Sequence, residues 1–238
     1  MESLKEKNIL ISGATGGIGS RTAKLLAASG ANIFLAGRNR EKLSAIATEL
    51  GLSDDKYCVV DISNPGMVAE LKDRYFSVLP SLDILVNASG IGIIKPIESL
   101  TETEFLQTLY TNLYGPFLLL KAFLPAMKEA KKGLIINIPG VLGKVPMAGA
   151  AAYSASKYGL TGMMQSIREE VKRTEIRITN IFLGGVDSPF WDTIDLRVQR
   201  EKMIHADEAA KAIWFLCQQP VSAVVSEMVL QPFNHQAI

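Results

Sequence analysis

Ser12-Gly13-Ala14-Thr15-Gly16-Gly17-Ile18-Gly19 is the stretch on which the reading of this chain turns. Before it, Asn8-Ile9-Leu10-Ile11 is a short apolar run of the kind that forms a buried parallel strand. After it, Ile18 through Ser29 reads as a helix with Ile18, Ala23, Leu25 and Leu26 available to pack. The glycines between them have separate uses. Gly13 lets the chain leave the strand sharply, Gly17 removes a side chain where a pyrophosphate would approach the backbone, and Gly19 permits close packing of helix on sheet. The N-terminus of the helix then faces the phosphates. The spacing is Gly-x-x-x-Gly-x-Gly and not Gly-x-Gly-x-x-Gly, so the turn alone fits either a nucleotide seat or a tight connection.

Outward from this turn, strand-like runs at 8–12, 32–36, 56–60, 82–86, 133–138, 176–182 and 226–231 alternate with helical segments. Parallel neighbours need crossover connections, and those crossovers cover both faces of the sheet. The fold class is therefore α/β: a Rossmann-type, doubly wound parallel sheet of about seven strands with helices on both faces. No repeat, low-complexity tract or linker divides residues 1–238, which read as one domain with its site at the carboxyl ends of the strands.

Far downstream, Tyr153-Ser154-Ala155-Ser156-Lys157 places a phenol and an ammonium four residues apart. On a helix these share a face one turn apart, so Lys157 is expected beneath Tyr153, lowering the phenol pKa from its usual value of about 10. A single Tyr-x-x-x-Lys also describes a solvated lysine beside an interfacial tyrosine. Combined with the glycine turn it points to hydride chemistry on a bound nucleotide.

With these motifs in order, the chain resembles the short-chain dehydrogenase/reductase family over nearly its whole length. The resemblance rests on Gly13/Gly17/Gly19, Asp61 after a strand, Asn87-Ala88-Ser89-Gly90, Asn112, Tyr153/Lys157 and Gly184-Gly185-Val186-Asp187-Ser188. It implies Tyr153 as acid/base, Lys157 holding the nicotinamide ribose, and Asn112 supporting a water that links the lysine to solvent. Asn112 also reads as a helix irregularity beside Gly115-Pro116. Cofactor contacts are implied for Gly13, Thr15, Gly17, Ile18, Gly19, Arg38, Asp61, Asn87, Gly90, Tyr153, Lys157, Val186 and Ser188. Asp61 would meet the adenine amino group and Asn87 to Gly90 would line the adenosine ribose side; Asp61 also fits a helix cap before Pro65. The main departure is at the family's catalytic serine, where Asn137-Ile138-Pro139-Gly140 has no hydroxyl. No Ser, Thr, Cys, Asp or Asn lies between Asn137 and Tyr153 to replace it. Losing such a donor costs about 100- to 1,000-fold in rate at other oxyanion sites. Two outcomes stand: an active oxidoreductase, or a catalytically weak nucleotide-binding protein.

Phe34-Leu35-Ala36-Gly37-Arg38-Asn39-Arg40 lacks the acid that would accept from an adenine ribose hydroxyl and offers guanidinium groups. NADP(H) is thus expected over NAD(H), although Arg38, Arg40 and Lys42 also fit a solvated helix start. Pro189-Phe190-Trp191 with Met147, Val141, Leu142 and Ile93 would give a largely apolar chamber for a small-molecule substrate. The loop from Asp192 to Ile204, with Arg197 and Arg200, fits a lid or a solvated face. The helices expected at about 102–131 and 151–173 are, by the resemblance, the pairing surface of a homodimer or homotetramer, to which 229–233 would add another contact.

Composition agrees and excludes. The chain has 238 residues, 48% hydrophobic and 21% charged, and a formal net charge of +1, which leaves no electrostatic footprint for nucleic acid. The apolar run of Phe117 to Leu120 ends at Lys121, too short for a membrane span. Residues 1–7 mix acids with bases and do not read as a signal peptide. Cys58 and Cys217 lack metal spacing and fit reduced thiols of a cytoplasmic protein; His205 and His235 form no metal cluster and are read as non-catalytic.

Overall fold

Apolar strands that are buried on both sides need a covering layer on each face, and the computed structural model of the chain, which describes residues 1–233, supplies both. The strands are β1 (Asn8–Ser12), β2 (Asn32–Gly37), β3 (Tyr57–Val59), β4 (Ile84–Asn87), β5 (Lys132–Asn137), β6 (Glu175–Leu183), β7 (Val186–Asp187), β8 (Ile204–His205) and β9 (Glu227–Leu230). The helices are α1 (Gly17–Ala28), α2 (Arg40–Glu49), α3 (Pro65–Val78), α4 (Glu102–Leu109), α5 (Gly115–Ala130), α6 (Ala151–Val171) and α7 (Ala206–Cys217). Seven strands pair in parallel in the order β3-β2-β1-β4-β5-β6-β9, and β7 pairs with β8 in a small separate ribbon. The order reverses between β1 and β4, which opens a crevice at their carboxyl ends.

Successive side chains of a strand point to opposite faces, so β1 feeds two cores. Ile9 and Ile11 pack with Ala23 and Leu26 of α1, Leu43 of α2 and Ile213 of α7. Leu10 packs on the other face with Leu71 and Tyr75 of α3, Phe123 of α5 and Leu160 of α6. Tyr75 is fully buried, its ring 5.3 Å from Phe34 and 5.6 Å from Phe123, and its hydroxyl donates to the Ser81 carbonyl at 2.9 Å. Truncating such a side chain to Ala costs about 3–5 kcal/mol.

Local chemistry sets the helix ends. Asn39 caps α2 by accepting from the Lys42 amide at 2.8 Å. Asn64 caps α3, accepting from Gly66 and Met67, so the cap before Pro65 is Asn64 and not Asp61. The expected helix over 102–131 is divided by a π-helical turn, Tyr110–Tyr114. Pro116 has no amide to give to the carbonyl four residues back, that of Asn112, and the wider turn accommodates the loss. It also places the Asn112 side chain in the core, fully buried. Among the described residues no helix is long and apolar enough to cross a membrane.

Candidate active site

The turn between β1 and α1 is built by contact. Gly13 has φ +72°, and a β-carbon there would lie 2.6 Å from the Ala88 carbonyl carbon and the Ser89 amide nitrogen. A β-carbon on Gly19 would fall on the Gly13 carbonyl oxygen and within 2.9 Å of its carbon. The close packing that Gly19 permits is thus against the turn itself. At Gly17 the space of a side chain is taken by Ser188 and Pro189, 2.6 Å and 3.2 Å from where a β-carbon would sit. The room that the sequence assigned to a pyrophosphate at Gly17 is thus occupied by the segment after β7. Gly16 precedes α1 with no side-chain cap and no acid in the first turn. Among the described residues the amides of Gly17, Ile18 and Gly19 have no acceptor. Helix-terminal amides of this kind attract anions.

Gly16 to Gly19 form one wall of a cavity of about 300 Å³, and Tyr153 and Lys157 form part of another. Val186 and Ser188 line it, as do Ala88, Ser89 and Gly90. Gly90 lies over the catalytic candidates: a β-carbon there would sit 3.4 Å from Asn112 Oδ1 and 3.5 Å from Lys157 Nζ. Asn112 Oδ1 accepts from the Ile91 amide at 2.8 Å, while Nδ2 donates to the Ile91 carbonyl at 2.9 Å and to Ser156 Oγ at 3.1 Å. Ser156 Oγ in turn donates to the Tyr153 carbonyl at 2.7 Å. Asn112 is thus both a helix irregularity and a brace between the loop after β4 and α6. Ser156, quoted within the Tyr153–Lys157 stretch but given no role by the sequence, completes the brace.

Lys157 donates to the Ile138 carbonyl at 2.9 Å, and its Nζ lies 5.4 Å from the centre of the Tyr153 ring. Burial lowers its pKa to about 8. Burial also holds the Tyr153 phenol above its ordinary value, so the expected lowering by Lys157 is not found. Desolvation outweighs the ammonium at this separation. The apolar chamber beside Tyr153 holds Val141, Leu142, Met147, Phe190 and Trp191 as expected, with Ile94 in the place assigned to Ile93. Gly140 lines the cavity too, with φ 71° and ψ 169°.

The other expected contacts divide. Arg38 is exposed at the carboxyl end of β2, and Asp61 accepts from the Ser63 amide at 2.9 Å and its hydroxyl at 2.7 Å. Burial works against the Asp61 charge, yet the Ser63 hydrogen bonds and the Arg38 guanidinium hold its pKa below the usual value. Thr15 packs over Gly37, where a β-carbon would meet its Oγ1 at 3.2 Å. The Asn87 side chain is buried within the sheet, accepting from Ser12 Oγ at 2.9 Å and donating to Asn137 Oδ1 at 3.3 Å. It does not line the cavity, because its position on β4 faces the neighbouring strands' side chains in register. Arg200 pairs with Asp192 and Asp187 and ties down the loop after β7. His205 is exposed at the start of α7, where its amide donates to Glu208 at 3.1 Å. His235 lies outside the described residues, and among those described no cluster of three metal-ligating side chains occurs.

The family model described as short chain dehydrogenase matches residues 7–198. The chain belongs to this family. An uncharacterized oxidoreductase of Staphylococcus epidermidis is 30% identical over 232 residues, covering 98% of this chain and all of the relative. A metagenomic short-chain oxidoreductase solved in complex with NADP is 31% identical, with TM-score 0.84 over 97% of this chain and 99% of that one. An alcohol dehydrogenase from the archaeon Thermococcus sibiricus, complexed with 5-hydroxy-NADP, is 27% identical with TM-score 0.88 over 98% of each chain. This is a family of oxidoreductases of the nicotinamide-cofactor class, and the candidate site of this member lies where the sheet order reverses.

Proposed function

We propose that this short-chain dehydrogenase catalyses reversible, NADP(H)-dependent hydride transfer to the carbonyl, imine or quinone carbon of a largely apolar small molecule. The observation that carries the proposal is one cavity lined by the unpaired amides after Gly16, by Gly90 over Asn112 and Lys157, and by Tyr153. These residues fit a dinucleotide: free amides at the α1 N-terminus for the pyrophosphate, and the Arg38 guanidinium at the end of β2 for a 2′-phosphate. Bound there, the cofactor supplies or receives the hydride.

The chain's own residues supply the rest. Tyr153 donates the proton to the substrate heteroatom in reduction and accepts it in oxidation. Its high phenol pKa keeps it protonated for reduction at neutral pH. Lys157 holds the ribose side and offsets the phenolate charge left after transfer, while Asn112 and Ser156 position α6. Val141, Leu142, Met147, Phe190 and Trp191 exclude water and select apolar substrates. The proposal includes a cytoplasmic location and pairing with a second copy through α4, α5 and α6. Exposed Leu106, Tyr110, Tyr114 and Phe117 support the pairing.

The test is NADPH consumption over a panel of ketones, aldehydes, quinones and cyclic imines, beside Tyr153→Phe. Turnover that falls by about 100- to 10,000-fold in the variant, with NADPH binding retained, supports the proposal. NADPH binding without turnover across the panel favours the second reading, a nucleotide-binding protein without catalysis, for which Gly140 is the specific observation.

A further inference from the structure

Gly92 lies outside the positive-φ region that favours glycine. What it provides is room. A β-carbon there would lie 2.8 Å from Cε2 of Phe190 and 2.9 Å from Cδ1 of Ile194. The Phe190 ring rests on this notch with its centre 5.8 Å from that of Tyr153 at 57°, and Trp191 packs edge-on against it at 5.3 Å. The same segment has a second notch at Gly17, filled by Ser188 and Pro189. It is held from behind by Trp191 Nε1 donating to the Val186 carbonyl at 2.9 Å. Gly17 on the cavity wall and Gly92 in the loop after β4 thus receive one short segment, and its aromatic tip packs against the proposed acid/base.

We propose that Phe190, seated on Gly92, is a specificity-determining residue that sets the size limit of the substrate chamber beside Tyr153. The inference rests on the hydride-transfer reading for its meaning but not for its measurement. A substrate that fits under the ring is a planar, apolar carbonyl compound of about one aromatic ring; a two-ring compound must displace Phe190. Because Gly92 is not held at positive φ, Gly92→Ala acts chiefly on the ring and on Ile194.

The experiment is a double-mutant cycle with Gly92→Ala, Phe190→Ala and both together, on protein loaded with oxidised NADP for binding and with NADPH for turnover. Calorimetric affinities are measured for acetophenone and 2-acetonaphthone, with turnover followed in parallel. Phe190→Ala is expected to shift the ratio of the two affinities toward the naphthyl ketone by about tenfold. Gly92→Ala is expected to change that ratio by about threefold or more when Phe190 is present and to leave it unchanged in the Phe190→Ala background. A Gly92→Ala protein that fails to fold, rescued by adding Phe190→Ala, supports the same seat. An unchanged ratio in Phe190→Ala, equal effects of Gly92→Ala in both backgrounds, or no binding of either ketone to any of the four proteins overturns it. Binding without turnover in every protein removes aryl ketones from the substrates of the hydride-transfer reading, while the affinity ratios still decide the role of Phe190.

Discussion

The turn after β1 and the loop after β5 both depend on glycine: both hold one at positive φ, Gly13 and Gly140, but only the turn is also limited by space. Gly13 and Gly19 are limited by space, because a β-carbon at either meets backbone of a neighbouring segment within 3 Å. At Gly140 the nearest atom to such a carbon is the Leu183 carbonyl oxygen at 3.5 Å, ordinary contact. Its limit is conformational: φ 71° with ψ 169° is a region that essentially only glycine occupies. The turn brings two segments together, so any side chain there breaks the approach. The loop offers neither a hydroxyl at this position nor a backbone path that a serine would readily follow.

The largest effect that would test this contrast is in the turn. Gly19→Ala is expected to cost about 3 kcal/mol or more, or to abolish NADPH binding, read by urea unfolding and NADPH titration. Wild-type behaviour would show that the turn yields more readily than its geometry states. Next is Lys157, which ties α6 to the loop through the Ile138 carbonyl. Its folded pKa, about 8, lies below the ordinary lysine value of 10.5. Between those values the unfolded chain binds more protons, so this group's contribution to stability is least favourable below pH 8 and improves as pH rises to 10.5. Subtracting the curve of Lys157→Met should expose a rise of about 1–3 kcal/mol over that window. A flat difference would mean that the ammonium is better solvated than its burial implies.

Gly140→Ser is expected to destabilise by about 1–3 kcal/mol and to bring no gain in turnover, because serine strains the path before its hydroxyl can be aimed. A rate gain without loss of stability would collapse the contrast and make the loop an ordinary one lacking a hydroxyl. The smallest effect belongs to the exposed end of β2. Arg38→Ala should reduce the preference for NADPH over NADH by about tenfold, measured as a ratio of kcat/KM or of dissociation constants. An unchanged ratio would leave Arg38 as the solvated start of α2.

The alternation of strands with helices could be read from the sequence because most strands of the main sheet are apolar and are set off by turns or helices. β1, β2 and β6 fall within a residue or two of the runs that announce them. The π turn was signalled only by Asn112 beside Gly115-Pro116, since its extra residue leaves the surrounding periodicity nearly unchanged. At the site, Tyr153, Lys157, Gly90, Val186 and Ser188, which the family resemblance named together, line one cavity. Asn87 and Thr15 turn elsewhere, because register across β1, β4 and β5 and the closeness of β2 decide where those side chains point. Gly92 carried no signal at all. Its importance lies in a ring ninety-eight positions away, and separations of that kind are set by tertiary packing.

The chain has two tryptophans, and they sit in very different places. Trp214 is anchored by a hydrogen bond to Ser29 Oγ at 2.8 Å, far along the chain from the cavity, whereas Trp191 leans on Phe190. Replacing Trp214 by Phe leaves a single emitter beside the ring that covers Tyr153. The protein then carries its own optical clock: the colour and lifetime of one indole report, in real time and without an added label, how long that ring stays in its seat.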